Sequence, residues 1–107
     1  MLREDTNKYL PLTESTYYIM LTLTEPLHGY AVMKKVEEIS KGTVNIGPGT
    51  LYGAFTLLDK EGLIVKVKEE DRRKSYVLTP KGKKVLTSQI KRLEIMTRNG
   101  LSVIDVL

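Results

Sequence analysis

The stretch from Gly47 to Leu63, G-P-G-T-L-Y-G-A-F-T-L-L-D-K-E-G-L, does most to limit what this chain can fold into. Its spacing predicts a helix over 48–61. Pro48 stands at the first helical position, where a missing N–H costs nothing. Leu51, Phe55 and Leu58 recur at helical spacing, and Ala54 and Leu57 widen that stripe into an apolar face. Gly62 comes next as a residue able to take the left-handed conformation that closes a helix. The opposite face carries Thr50, Gly53, Thr56 and Lys60, with Tyr52 on its flank. A helix selected for solubility alone carries more Glu and Lys. Small side chains let a helix lie close to a surface, and hydroxyls and a lysine suit phosphates and base edges. These five residues are candidates for a recognition helix. The structural alternative is that Thr50 caps the helix and Gly53 avoids a clash with the hairpin expected after Gly62.

The flanking sequence sets this helix in an order of elements. Residues 1–8 are polar and without period, and are expected to form a flexible tail. Thr13 is a good N-cap for a helix over about 13–24, which Glu25-Pro26 ends. That helix is apolar on more than one face, as a central or shared helix is. L-H-G-Y then opens a second helix over Gly29–Ser40, with Tyr30, Val32, Met33, Val36 and Ile39 as its apolar positions. The lone histidine, His28, is expected to cap or pack. T-V-N-I-G is β-branched and reads as a short strand.

After Gly62 the period becomes two. Residues 63–68 read as a strand, E-E-D-R-R-K as a charged turn, and 75–79 as the returning strand. Thr79-Pro80 starts a last helix, with Val85, Leu86, Ile90, Leu93 and Met96 on its apolar stripe. Asn99-Gly100 is a stop or kink signal. The final apolar piece, Leu101, Val103, Ile104, Val106 and Leu107, is expected to pack.

Three helices, a hairpin and a helix give a mainly α chain with a small β-hairpin. This is the order of a winged helix-turn-helix domain, expected over 9–80, with a C-terminal helix after it over 81–107. The hairpin is then the wing, and it brings Arg72, Arg73 and Lys74 beside the recognition helix.

Composition narrows the function. The chain has 107 residues and no cysteine, so thiolate chemistry and disulfides are excluded. A single histidine excludes a multi-histidine metal site. With no paired carboxylates in a plausible cleft, nothing serves as an acid–base pair, and an enzyme is not expected. No metal or other cofactor is required. No apolar run approaches the roughly 20 residues of a membrane span, and no secretory signal is evident, so a cytoplasmic protein is expected. Residues 1–62 carry 6 basic and 8 acidic side chains, and residues 63–107 carry 11 and 5. A basic back half points one surface at a polyanion.

The runs Y-L-P-L-T-E-S-T-Y-Y-I-M-L-T-L, H-G-Y-A-V-M, G-P-G-T-L-Y-G-A-F-T-L-L, E-G-L-I and R-R-K-S-Y-x-L-T-x-x-G, in this order, resemble the PadR family of transcriptional regulators. The likeness covers residues 9 to about 85, and R-L-E-I-M-T-R-N-G fits its short-tailed members. Phe55 stands where the family commonly has Leu. The resemblance implies a winged-helix repressor that binds double-stranded DNA as a homodimer and is released by a small-molecule effector or other signal. It implies pairing through the first and last helices, with Tyr17, Ile90, Leu93, Met96, Leu101 and Ile104 as the dimer residues. Members that bind flat drugs clamp them with an aromatic in the last helix. This chain has no Trp and no aromatic after Tyr76, against that role.

The site residues expected to meet DNA are therefore Thr50, Tyr52, Gly53, Thr56 and Lys60 on the helix and Arg72, Arg73 and Lys74 on the wing. Tyr76 is expected to support the strand. The rival reading is a winged-helix module that docks on proteins. A single-strand or RNA binder is disfavoured, because the wing lacks the stacking aromatics such proteins use.

Overall fold

A computed structural model describes residues 7–107. Most of the tail expected over 1–8 lies outside the described residues, and Asn7–Tyr9 form a short 3-10 turn. Four helices come after it: α1 (Glu14–Thr22), α2 (Gly29–Ile39), α3 (Pro48–Lys60) and α4 (Pro80–Leu101). Three strands, β1 (Leu27–His28), β2 (Ile64–Glu70) and β3 (Arg73–Leu78), form an antiparallel sheet in the order β1-β3-β2. A 3-10 turn, Ile104–Val106, closes the chain.

The helix starts reflect local chemistry. The Thr13 hydroxyl accepts from the Thr16 N–H at the head of α1. His28 Nδ1 accepts from the Ala31 N–H, 3.4 Å away, at the head of α2. Thr79 Oγ1 accepts from the Gly82 N–H at the head of α4. Each hydrogen bond satisfies a donor that the first helical turn leaves unpaired.

The core is one cluster. Ile19, Met20 and Leu23 of α1, Val32 and Val36 of α2, Leu51, Phe55 and Leu58 of α3, and Val85 and Leu86 of α4 close around Leu63, Ile64 and Leu78. Burying each such aliphatic side chain stabilises by about 1.5–3 kcal/mol. The Leu12 N–H donates to the buried Gln89 side chain at 3.0 Å, which ties the segment before α1 to the middle of α4.

One seam joins recognition helix, wing and α4. Gly62, at φ +74°, turns the chain out of α3. Thr79 Oγ1 donates to the Gly62 carbonyl at 2.6 Å, and the Thr79 N–H donates to the Leu63 carbonyl at 3.1 Å. Gly82 lies directly over Leu63, so a Cβ at Gly82 would overlap the Leu63 carbonyl oxygen. The E-G-L-I and L-T-x-x-G runs are thus two sides of one backbone junction.

Several expectations need correction. Val44, Asn45 and Ile46 form no strand; this stretch is a loop whose Val44 and Ile46 side chains plug into the core. The Ser40 hydroxyl accepts from the Val44 N–H instead of a neighbouring strand. The third strand comes from Leu27–His28, which pairs with Tyr76 and Ser75. The wing turn is two residues, Asp71 and Arg72, both at positive φ as a type I′ hairpin loop requires. Arg73 and Lys74 therefore belong to β3. Asn99-Gly100 lies in the last turn of α4, which ends one residue later at Leu101, with Ser102 as its C-cap. Leu57 does not widen the buried stripe but is 60% exposed, at the mouth of a cavity it shares with Tyr9, Leu12 and Thr16. Tyr30 and Ile39 of α2 are exposed as well.

The terminal piece also departs from expectation. Leu101, Val103, Ile104, Val106 and Leu107 are all exposed within the chain. Gln89 is the last buried residue of α4 and Leu93 the last half-buried one, so α4 carries this piece beyond the elements that would bury it.

Candidate nucleic-acid interface

α3 presents two unlike faces. Leu51, Phe55 and Leu58 are buried, whereas Thr50, Tyr52, Gly53, Thr56 and Lys60 are all exposed. The structural alternatives for two of them fail. The N-cap of α3 is Gly47, with no side-chain cap, so Thr50 caps nothing. Apart from its own helix backbone, nothing lies within 4 Å of where a Gly53 Cβ would stand, so Gly53 avoids no clash with the hairpin. Thr56 Oγ1 donates back to the Tyr52 carbonyl at 2.9 Å, which fixes its orientation and leaves its lone pairs facing solvent.

A cleft of about 400 Å³ opens between α3, the start of α2 and the wing. Tyr52, Thr56, Arg72, Arg73 and Lys74 line it, so the structure brings five of the eight expected residues around one space. Thr50 and Gly53 continue the same exposed helix face. Lys60 stands apart, about 12 Å along the axis from Tyr52 by the helical rise.

Aromatic packing sets the depth of the cleft. Phe55 meets the Tyr76 ring at 4.7 Å between centroids and the Tyr52 ring edge-on at 6.1 Å. Tyr76 therefore supports the strand from the floor of the cleft, as expected. Burial raises its phenol pKa, with Asp59 and Glu69 adding to the rise and Lys66 opposing it, so the hydroxyl stays neutral. Tyr52 remains 54% exposed, yet its hydroxyl is held against Gly29, 2.7 Å from where a Cβ would sit.

The wing sorts its charges. Lys66 pairs with Glu69 at 3.2 Å and Lys68 with Glu70 at 3.1 Å. Arg72, Arg73, Lys74 and Lys60 form no ion pair among the described residues. A bulge at Val67, where Lys66 opposes Tyr76 and Lys68 opposes Ser75, adds local twist to the wing. The result is a set of unneutralised cations beside a close-fitting helix face, an arrangement suited to a duplex backbone.

The residues expected at a dimer contact lie elsewhere. Tyr17 of α1 is half-buried and meets the Tyr18 ring edge-on at 5.6 Å. Burial, with Tyr18 beside it, raises the Tyr17 pKa. Leu93 is half-buried, and Ile90, Met96, Leu101 and Ile104 are exposed along α4 and beyond it. Between α1 and α4 lies a cavity of about 340 Å³ lined in part by Tyr17, Tyr18, Leu93 and Met96.

Sequence reasoning misses Tyr30. Helical spacing makes it a core position, but it is 66% exposed and lines the cleft. Its place directly after His28-Gly29, ahead of the first buried large side chain of α2, is the one hint the residues offer.

Comparison with known proteins agrees with this architecture. The profile of the transcriptional regulator PadR-like family matches residues 18–88, more than half of the chain. The transcriptional regulator Rv3488 of Mycobacterium tuberculosis is 34% identical over 68 residues, covering 61% of this chain and 64% of that protein. Across the curated relatives it matches, the aligned segment spans between 17% and 64% of their length. A transcriptional regulator from Clostridium thermocellum superposes with a TM-score of 0.68 at 26% identity, covering 89% of this chain and 93% of that one. A PadR-like transcription factor from Bacteroides fragilis shares the fold, with a TM-score of 0.71 at 24% identity over 94% of this chain and 99% of that one. Regulators of this family are not enzymes. From its fold, its paired motifs and these matches, the chain belongs to the transcriptional regulator PadR-like family and has the winged-helix architecture of that family.

Proposed function

We propose that the protein is a homodimeric repressor that acts in the cytoplasm on a palindromic operator. Two copies of α3 enter successive major grooves, with half-sites roughly 34–36 Å apart. Thr50, Gly53 and Thr56 approach base edges. Lys60, Arg72, Arg73 and Lys74 hold phosphates, and Tyr52 sits between the two roles. Dimerisation uses Tyr17 with Ile90, Leu93, Met96, Leu101 and Ile104. A small-molecule effector bound near the dimer helices would alter the angle between subunits and release the DNA.

The observation that carries this reading is the cleft, where wing cations without ion partners among the described residues face an exposed, hydroxyl-bearing helix. No helix among the described residues is long and apolar enough to cross a membrane, which is compatible with this role.

The test is a titration of the DNA upstream of the protein's own gene, at several salt concentrations. Each phosphate contact contributes about −0.9 to the slope of log affinity against log salt. Replacing Arg72, Arg73 and Lys74 together by Ala should flatten that slope by about 2–3 and weaken all duplexes alike. Unchanged binding in the triple variant, or no binding of any duplex by the wild type, would favour a protein-docking winged helix instead.

A further inference from the structure

The H-G-Y run contains one residue that folding leaves unused. His28 caps α2 through the Ala31 N–H. Gly29 is buried where only a missing side chain makes room for the Tyr52 hydroxyl. Tyr30 serves neither purpose. Its hydroxyl makes no hydrogen bond, and its ring stacks on no other ring, among the described residues. A large aromatic 66% exposed, at the start of a helix, is not explained by packing.

Its surroundings suggest a purpose. Tyr30 lines the same cleft as Tyr52, Thr56, Arg72, Arg73 and Lys74. The phenols thus stand on the α2 and α3 side of the opening, and the wing cations stand across from them. A phosphodiester in that space would meet guanidinium and ammonium groups on one flank and neutral O–H donors on the other. Tyrosine hydroxyls are suitable partners for phosphate oxygens, because they donate a hydrogen bond without carrying charge.

We propose that Tyr30, with Tyr52, forms a phosphate-holding post that makes the start of α2 a third DNA-contacting element beside α3 and the wing. The post fixes the depth and register of α3 in the groove; it does not read bases. This inference rests on the DNA-binding reading above.

The experiment uses the full chain and a fluorescein-labelled duplex of mixed sequence, with the upstream DNA as a second probe. Tyr30→Phe removes one oxygen and keeps the ring. It should weaken both duplexes by roughly tenfold, the scale of a hydrogen bond to a charged group. The salt slope should stay at the wild-type value, since a neutral donor displaces no counterion. Tyr30→Ala should lose at least as much, with the far-UV spectrum and melting temperature of the wild type. A single methylphosphonate in the duplex, stepped along each strand, should abolish the Tyr30→Phe effect at one position. If wild-type protein binds but Tyr30→Phe and Tyr30→Ala bind equally well, Tyr30 has no contact and the proposal is wrong. A loss confined to one DNA sequence would make Tyr30 a base reader and equally overturn it. If the wild type binds no duplex, the underlying DNA reading falls instead.

Discussion

The body of the protein and the far half of α4 are built on opposite terms. Up to Gln89, most of the described large aliphatic side chains, Ile39, Leu57, Val65 and Val67 apart, find others of the same chain, and the helix heads are capped by side chains or begun with proline. Past Gln89 the cover thins: Leu93 is half-buried and shares a cavity with α1, while Ile90, Ile95, Met96 and Leu101 are exposed, with Val103, Ile104, Val106 and Leu107 exposed beyond the helix. The body is complete within one chain, and the extension is not. Exposed apolar side chains in this number are what the proposed dimer would bury, so the contrast separates what folds alone from what that proposal assigns to a partner.

The largest test strikes the body at its seam. Gly82→Ala would drive a methyl into the Leu63 carbonyl, and neither backbone can retreat. A loss of about 3 kcal/mol or more is expected, read from the urea midpoint. A variant of wild-type stability would show that the junction has slack.

Next comes the extension. Met96→Glu with Ile104→Glu alters two residues that are exposed within the chain. Sedimentation should show a dimer weakened by about 100-fold or more, equivalent to about 2.7 kcal/mol, with the far-UV spectrum unchanged. An intact dimer would place the contact elsewhere.

A smaller effect is expected at Gly53. Alanine there meets nothing within 4 Å beyond its own helix backbone and removes a helix-interior glycine. Stability should rise by up to about 1 kcal/mol. DNA affinity should fall at the same time, because the methyl occupies the surface that meets the groove. A gain in both would argue against close approach of α3.

The smallest effect is set by pH. Burial raises the pKa of Tyr17 and Tyr76, with Tyr18 and Asp59 as the next causes. The folded chain therefore keeps phenolic protons that the unfolded chain releases. This contribution is fully present below the unfolded phenol's pKa of about 10 and declines as pH rises through it toward the raised folded values. Urea midpoints should fall across that range, and less so in Tyr76→Phe. Equal alkaline sensitivity in both proteins would remove Tyr76 from the cause.

Much of this body was legible in the residues. Pro48 and Gly62 mark the ends of α3 because their backbone chemistry is positional rather than cooperative. Thr13 and Thr79 announce α1 and α4 for the same reason. The misses share a different origin. β1 is two residues long, too short for any period, and exists because β3 passes beside it. The Asp71-Arg72 turn lacks the glycine that usually signals a two-residue hairpin, so the charged run reads as a longer loop. Val44 and Ile46 are β-branched for burial, not for pairing. In the cleft, the wing cations and Tyr52 could be anticipated from order along the chain. Tyr30 was far harder to place, because its helical spacing is the same whether it faces core or solvent.

The junction of Thr79 and Gly82 with Gly62 and Leu63 has one more result. It fastens the head of α4 to the residue leading into the hairpin and to the end of the recognition helix at once. In the proposed dimer, a twist applied at the distant end of α4 would arrive at this joint, where helix and wing share one backbone anchor, like a key gripped by its shaft.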